Sequence, residues 1–161
     1  KFDLIVDAFN ENWKKIIICT NTDNKLYKHL KSISKPNITW RLNVPKQELR
    51  QLYAQAKAFI FPPEEDFWLV PIEAMASGTP VIAYKKGGAL ETVVENKIKV
   101  SESSGIFFNQ QNIEALQQAI NSFNKIEKKF NPFWIRKHAE NFQESSFLQS
   151  FTETIDKLIQ K

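Results

Sequence analysis

Short apolar segments along the chain are each followed by a longer stretch in which apolar residues recur at helical spacing. Five apolar segments predict strands: Lys15–Cys19, Ile38–Leu42, Ala58–Phe61, Pro80–Tyr84 and Gly105–Phe108. Several are apolar almost throughout, which is typical of parallel strands covered on both faces. The amphipathic stretches predict helices over Asn24–Ile33, Lys46–Ala56, Val70–Ala76, Ala89–Glu95 and Asn112–Phe123. This alternation predicts an α/β domain with a parallel sheet and helices on both of its faces.

The last forty or so residues change character, because no strand pattern occurs in them. Two helical patterns are present, one in "NPFWIRKHAENF" and one after Ser145 and Ser146, either of which can cap a helix. The apolar residues of the second pattern are Phe147, Leu148, Phe151, Ile155, Leu158 and Ile159. The chain therefore ends in helices, and without a repeat or linker residues 1–161 are predicted to form one domain.

Composition excludes several classes of protein. With 42% hydrophobic and 25% charged residues the chain resembles a globular domain, and no apolar run approaches the roughly 20 residues of a membrane span. A single cysteine, Cys19, excludes an internal disulfide and fits a reducing compartment, so we expect a cytoplasmic location. The net charge of +4 is spread over scattered lysines, which does not predict a nucleic-acid partner. His29 and His138 are isolated and predict no metal site.

The segment "FPPEEDFWLVPIEAMASGTPVIAY", from Phe61 to Tyr84, holds two carboxylates at an unusual position. Two prolines end the strand before it, because proline has no N–H for a sheet ladder. Proline is also tolerated in a first helical turn, and Gly78 can end the helix that follows. Glu65 is therefore predicted on a loop at the carboxyl end of a strand, and Glu73 in the first turn of the next helix.

These positions suit a ligand that carries both phosphate and hydroxyl groups. Ligands of open α/β sheets bind outside the carboxyl ends of the strands, and a helix N-terminus there favours phosphate. An ionised carboxylate accepts hydrogen bonds from paired hydroxyls, so a nucleotide sugar is the physical candidate. Spacing alone leaves other interpretations open: Glu73 stabilising its helix through the dipole, a solvated acidic loop at residues 64–66, or the two acids of a glycosidase.

The segment "FPPEEDFWLVPIEAMASGTPVIAYKKGGALETVVE" closely resembles the donor-binding region of family 4 retaining glycosyltransferases of GT-B fold, the glycosyl transferases group 1. Glu65 and Glu73 match the E-x7-E pair of that family. The segments "RLNVPKQELRQLYAQAKAFIFP" and "GGALETV" match as well, so the resemblance covers most of the chain. The details "KKGGALETV" and "HAENF" look most like bacterial mannosyltransferases of O-antigen and polysaccharide pathways. The resemblance implies a Rossmann-like domain, the C-terminal half of a GT-B fold.

The resemblance also implies roles for individual residues. Glu73 matches the glutamate that binds the ribose hydroxyls, and Glu65 matches the catalytic glutamate that faces the donor sugar. The donor would further contact backbone amides near Phe67, Trp68 and Leu69 and, at the base, Leu42, Asn43 and Val44. Such enzymes are usually described as using front-face attack without a metal, so no cofactor is expected. The implied activity is transfer of a hexose, by preference mannose from GDP-mannose, although a UDP-sugar also fits, to a glycan or lipid-linked acceptor.

Three departures from the family shape these expectations. Trp68 stands where the family has glycine, which could weaken or alter donor binding. The diphosphate-binding Arg and Lys, the first strand in the middle of the sheet and the acceptor-binding N-terminal domain are all expected before Lys1. This chain alone is therefore expected not to turn over, and its parent could attach peripherally to the inner face of the membrane. A non-catalytic domain with impaired donor binding and a nucleotide-sugar epimerase remain the alternative functions.

Overall fold

The computed structural model describes residues 1–66 and 69–143, together with residues 145, 148, 151, 152 and 155. Its helices are α1 Phe2–Asn12, α2 Lys25–Ile33, α3 Lys46–Gln55, α4 Leu69–Ala76, α5 Ala89–Thr92, α6 Ile113–Ile126 and α7 Pro132–Ala139. Its strands are β1 Ile16–Thr20, β2 Ile38–Leu42, β3 Phe59–Phe61, β4 Val81–Tyr84 and β5 Gly105–Phe108. Short 3₁₀ turns precede β5 and flank α7. Each predicted strand lies within one residue of its expected bounds.

The five predicted helices also form, and in two of them an end differs from the predicted one by more than one residue. Helix α5 ends at Thr92 rather than Glu95, because Val93 is already extended, and α6 continues to Ile126. Asparagine caps three helices: the side chains of Asn24, Asn112 and Asn131 accept backbone N–H groups of the first turns of α2, α6 and α7. These bonds satisfy donors that have no partner inside the helix. Helix α1, with five buried apolar residues, lies outside the predicted helices.

All strand pairs in the described part of the chain are parallel, as predicted, but they form two sheets. Strand β1 pairs with β2, and β4 pairs with β3 on one side and β5 on the other. Helices connect the two sheets: α1 packs on both β2 and α6, and α3 packs on α4. The buried side chains of both sheets belong to one apolar core. The α/β architecture with helices on both faces is confirmed.

The strands differ in how completely they are covered. All four residues of β4 are buried, which explains why that strand is apolar throughout. In β1, by contrast, Ile17 is 48% exposed although it belongs to an equally apolar run. Among the strands that the structure describes, β1 and β3 each have a hydrogen-bonded neighbour on one side only. Each therefore presents backbone N–H and C=O groups on its other side.

The C-terminal segment is described in part. Leu148, Phe151 and Ile155 are helical, as the pattern predicts, and their side chains are exposed. Phe147, Leu158 and Ile159 lie outside the described residues. Before this segment, α7 packs on α4 and buries Ile135 completely. The helix α7 thus supports the helix on which Glu73 lies.

Candidate functional site

Helix α4 connects the loop after β3 to the start of β4, and its C-terminus is formed as the sequence predicts. Gly78 has a positive φ of 84° and donates its N–H to the Met75 carbonyl oxygen at 2.8 Å. The N–H of Thr79 reaches back to the carbonyl oxygen of Ala74 at 3.1 Å. Together these bonds are a Schellman motif, which turns the chain abruptly into the next strand.

Glu73 is exposed and is the fifth residue of α4, so the prediction that it lies in the first helical turn is wrong. The helix begins at Leu69, earlier than the hydrophobic pattern suggests, and its first turn contains no acidic residue. The dipole acts mainly on charges in that first turn. Stabilisation of the helix by Glu73 is therefore a weaker explanation for this carboxylate than the sequence alone allows.

Tyr53 of α3 links Glu73 to the end of β1. Burial raises the pKa of the Tyr53 hydroxyl, and the nearby carboxylate of Glu73 and the thiol of Cys19 raise it further. Burial likewise raises the pKa of the Cys19 thiol, against the opposing effect of Arg41. Glu73 thus lies within electrostatic range of a buried tyrosine of α3, which packs on α4. No motif in the sequence predicts this neighbour.

Glu65 lies on the loop after β3, as predicted, and its side chain is exposed. Two neighbouring loops hold the backbone of this loop. The N–H of Gly88, after β4, donates to the Glu65 carbonyl oxygen at 2.8 Å, and Gln111 Nε2, after β5, donates to the Pro62 carbonyl oxygen at 2.8 Å. The strands are parallel, so all three loops lie at the carboxyl edge of the sheet. Sequence reasoning did not assign Gln111 or these backbone contacts.

The other predicted contacts fall into two groups. Leu42, the last residue of β2, and Asn43 are exposed, and Val44 is partly buried just beyond that strand. Asn43 has a left-handed backbone, with φ 52°, and donates its N–H to the Thr20 carbonyl oxygen. Leu69 is 59% exposed at the start of α4. Phe67 and Trp68 lie outside the described residues, so the effect of tryptophan in place of glycine stays a prediction.

Two lysines follow β4 at the same edge. Lys85 and Lys86 are exposed, and Lys86 Nζ lies 3.8 Å from a carboxylate oxygen of Glu64. Such an exposed ion pair contributes little to stability, and its ammonium can turn toward another anion. A cleft of about 370 Å³ lies elsewhere: Lys57 and Pro80, which line it, precede β3 and β4. It is therefore at the opposite edge of the sheet from Glu65.

Comparison with known proteins identifies the family. The model of the glycosyl transferases group 1 family matches residues 2–144. This chain belongs to that family. Its α/β architecture and the matched E-x7-E pair agree with the assignment.

Two curated relatives are mannosyltransferases. The chain is 30% identical over 130 residues to the O-antigen chain mannosyltransferase RfbU of Salmonella typhimurium, with 77% of this chain and 37% of that protein covered. It is 31% identical over 96 residues to the alpha-1,3/1,6-mannosyltransferase alg2 of Schizosaccharomyces pombe, with 59% of this chain and 16% of that protein covered. This chain therefore spans well under half the length of these relatives.

Solved glycosyltransferase structures share the fold. The sucrose-phosphate synthase of Thermosynechococcus elongatus superposes with a TM-score of 0.79 at 22% identity, over 98% of this chain and 42% of that one. Anabaena HepE in complex with UDP-glucose superposes with a TM-score of 0.75 at 20% identity, over 96% of this chain and 44% of that one. At these identities the similarity establishes the shared fold alone. Among the described residues, no helix is long and apolar enough to cross a membrane.

Proposed function

We propose that this chain is the donor-binding half of a retaining glycosyltransferase. The transferred group is a hexose, by preference mannose carried by GDP, and the acceptor is a glycan or a lipid-linked saccharide. An N-terminal domain of the same polypeptide would supply the acceptor site, and the whole enzyme would work in the cytoplasm or at the inner face of the membrane. Two mannosyltransferases among the relatives support the choice of mannose, and the HepE complex with UDP-glucose supports a nucleotide sugar as the donor.

One observation carries this proposal: the family's two glutamates are exposed on neighbouring elements that leave the carboxyl edge of a parallel sheet. Ligands of such sheets bind at this edge. In the proposed complex Glu73 accepts hydrogen bonds from the ribose hydroxyls, and Glu65 accepts them from the donor sugar. The backbone after β2, at Leu42, Asn43 and Val44, would contact the base, and the amides of Phe67, Trp68 and Leu69 would contact the sugar and diphosphate.

The proposed reaction needs positive charge more than a nucleophile from this domain. The glycosidic bond to the diphosphate breaks while the acceptor hydroxyl attacks the same face of the sugar, and negative charge develops on the leaving diphosphate. The proton of the acceptor hydroxyl passes to the leaving diphosphate oxygen. Stabilising that charge is usually a large catalytic contribution. Lys85 and Lys86 are cations of the described chain at this edge, and the Arg and Lys expected upstream of Lys1 would supply the rest. No metal is required by this scheme.

The test is calorimetric titration of the full-length protein with GDP, UDP and ADP and with their mannose and glucose conjugates. Saturable binding of one nucleotide is expected. Glu73→Ala should weaken it by about tenfold to a hundredfold, since it removes charge-assisted hydrogen bonds to the ribose. Glu65→Ala should leave the affinity for the free nucleotide intact but abolish the gain from the attached sugar. Glu114→Ala, which removes an exposed carboxylate from the first turn of α6, is the matched control.

Normal donor affinity and normal sugar transfer in both glutamate variants would refute the assignment. Absence of any nucleotide binding by the folded full-length protein would instead favour a domain that has lost its donor. Epimerised donor released without an acceptor would favour the epimerase.

A further inference from the structure

The loop that carries Glu65 has an unusual support. Glu64, Glu65 and Asp66 are all exposed, so their side chains do not anchor the loop in the core. An exposed carboxylate that must meet a sugar needs a fixed backbone, because a misplacement of about 1 Å can reduce a rate about a hundredfold. Contacts to the main chain of Glu65 must therefore fix this loop.

The turn Gly87–Gly88 makes the closest contact. Gly88 N–H donates to the Glu65 carbonyl oxygen at 2.8 Å. Gly87, with φ 60°, lies so close that a Cβ atom there would be 2.4 Å from the same oxygen and 3.2 Å from the Glu65 nitrogen. Ordinary van der Waals contact begins at 3.4 Å, so any side chain at Gly87 would displace one of the two loops by about 1 Å. Glycine is needed here both for its positive φ and for the close approach.

Gln111 holds the start of the same loop through the 2.8 Å hydrogen bond from its amide to the Pro62 carbonyl oxygen. The loops after β4 and β5 thus each bind one end of the five residues from Pro62 to Asp66. The exposed ion pair of Lys86 with Glu64 adds little to this support.

We propose that the Gly87–Gly88 turn and Gln111 are positioning residues: they form a clamp that holds the backbone of the Glu65 loop where its carboxylate can reach the donor sugar. Neither needs to touch the donor. This inference rests on the proposed function, because the position of Glu65 matters for binding only if its carboxylate faces the sugar. The clamp should therefore govern the affinity added by the sugar and leave the nucleotide, held through Glu73, largely unaffected.

The first experiment tests, without any donor, whether Gly87 fixes the backbone position of Glu65. Backbone amide resonances of the full-length protein are compared for Gly87→Ala and for Gly78→Ala. Both variants place alanine at a positive φ, but only Gly87→Ala brings a methyl group against Glu65. Shifts at Glu64, Glu65 and Asp66 in Gly87→Ala, absent in Gly78→Ala, are expected. Unmoved resonances at these three residues in Gly87→Ala would overturn the clamp.

The second experiment measures how the clamp affects donor affinity. It remains informative if Gly87→Ala does not fold. Gln111→Glu replaces the amide donor with a carboxylate of the same shape, and Gln118→Glu on the exposed side of α6 is the charge-matched control. Affinities for GDP and GDP-mannose, and for UDP and UDP-glucose, are measured by calorimetry. The expected result is a loss of at least about tenfold in the extra affinity conferred by the sugar, with nucleotide affinity retained.

The outcomes separate the two proposals. Two results would overturn the clamp but not the donor site. In the first, Gln111→Glu lowers the affinities for nucleotide and for nucleotide sugar equally. In the second, Gln111→Glu lowers neither affinity, although Glu65→Ala abolishes the affinity that the sugar adds. If no nucleotide or nucleotide sugar binds the unaltered protein, the proposed function fails. The amide resonances then still decide whether Gly87 fixes the Glu65 backbone.

Discussion

Gly105, the first residue of β5, sits against the neighbouring strand β4 so closely that alanine cannot replace it without moving the sheet. A Cβ atom at this position would lie 2.1 Å from the Val81 carbonyl oxygen and 2.8 Å from a Val93 methyl carbon. The first of these is a backbone atom of a fully buried strand, so it cannot rotate away. We therefore expect Gly105→Ala to push β4 and β5 apart at their first paired residues.

The cost follows from the distances. To reach ordinary contact the methyl group must move about 1.3 Å from the carbonyl oxygen, which would lengthen the 2.9 Å bond from Val81 N–H to the Ser104 carbonyl oxygen beyond hydrogen-bonding range. Overpacking costs about 1–3 kcal/mol, and each lost hydrogen bond adds about 0.5–1.5 kcal/mol. If this bond and one further bond between β4 and β5 are weakened, the free energy of unfolding should fall by about 2–6 kcal/mol. For a domain of this size Tm should fall by about 8–16 °C at the middle of that range.

Thermal unfolding followed by circular dichroism measures this loss, with Gly78→Ala as the comparison. That variant also adds one methyl group, but its nearest contact is the flexible side chain of Arg136 at 3.0 Å. Its main cost is the left-handed backbone, about 1–2 kcal/mol. A Tm of Gly105→Ala within about 2 °C of that of the unaltered protein, or a larger fall in Gly78→Ala, would refute this prediction.

Two further predictions concern titration and exchange. The raised pKa of Tyr53 means that the folded protein keeps this hydroxyl protonated where the unfolded chain, with a tyrosine pKa of about 10, ionises it. The stability that this group contributes is thus complete below about pH 10 and is lost as pH rises further. Above about pH 10, Tm should therefore fall less steeply with pH in Tyr53→Phe than in the unaltered protein. An unchanged slope of Tm against pH would contradict the raised pKa of Tyr53. In residues 1–161 by themselves, the amide of Ile60 points away from β4, because the amide of the preceding Phe59 donates to the Pro80 carbonyl oxygen of the β4 side. It should therefore exchange hydrogen faster than the amide of Ile82, which lies between two strands. Equal protection would show that the open side of β3 is covered in solution.

The alternation of strands and helices can be predicted from this sequence because each element depends mainly on its own residues. Strand β4 is apolar at every position, since it is covered on both faces, and Asn24 and Asn112 begin helices through bonds made within three residues. Gly78 ends α4 for the same local reason. The family could be recognised from the segment around Glu65 and Glu73 because the residues of that motif are close together in sequence.

Contacts between residues that are distant in sequence could be identified only from the tertiary structure. The approach of Gly87 to Glu65 and of Gln111 to Pro62 depends on how three parallel strands place their following loops, and no local pattern encodes such distances. The electrostatic link of Tyr53 to Glu73 likewise joins two helices whose packing depends on the whole core. Hydrophobic periodicity shows which face of an element is buried but not which element covers it. The sequence therefore determined the elements and the motif, whereas packing decided which backbone atoms hold that motif in place.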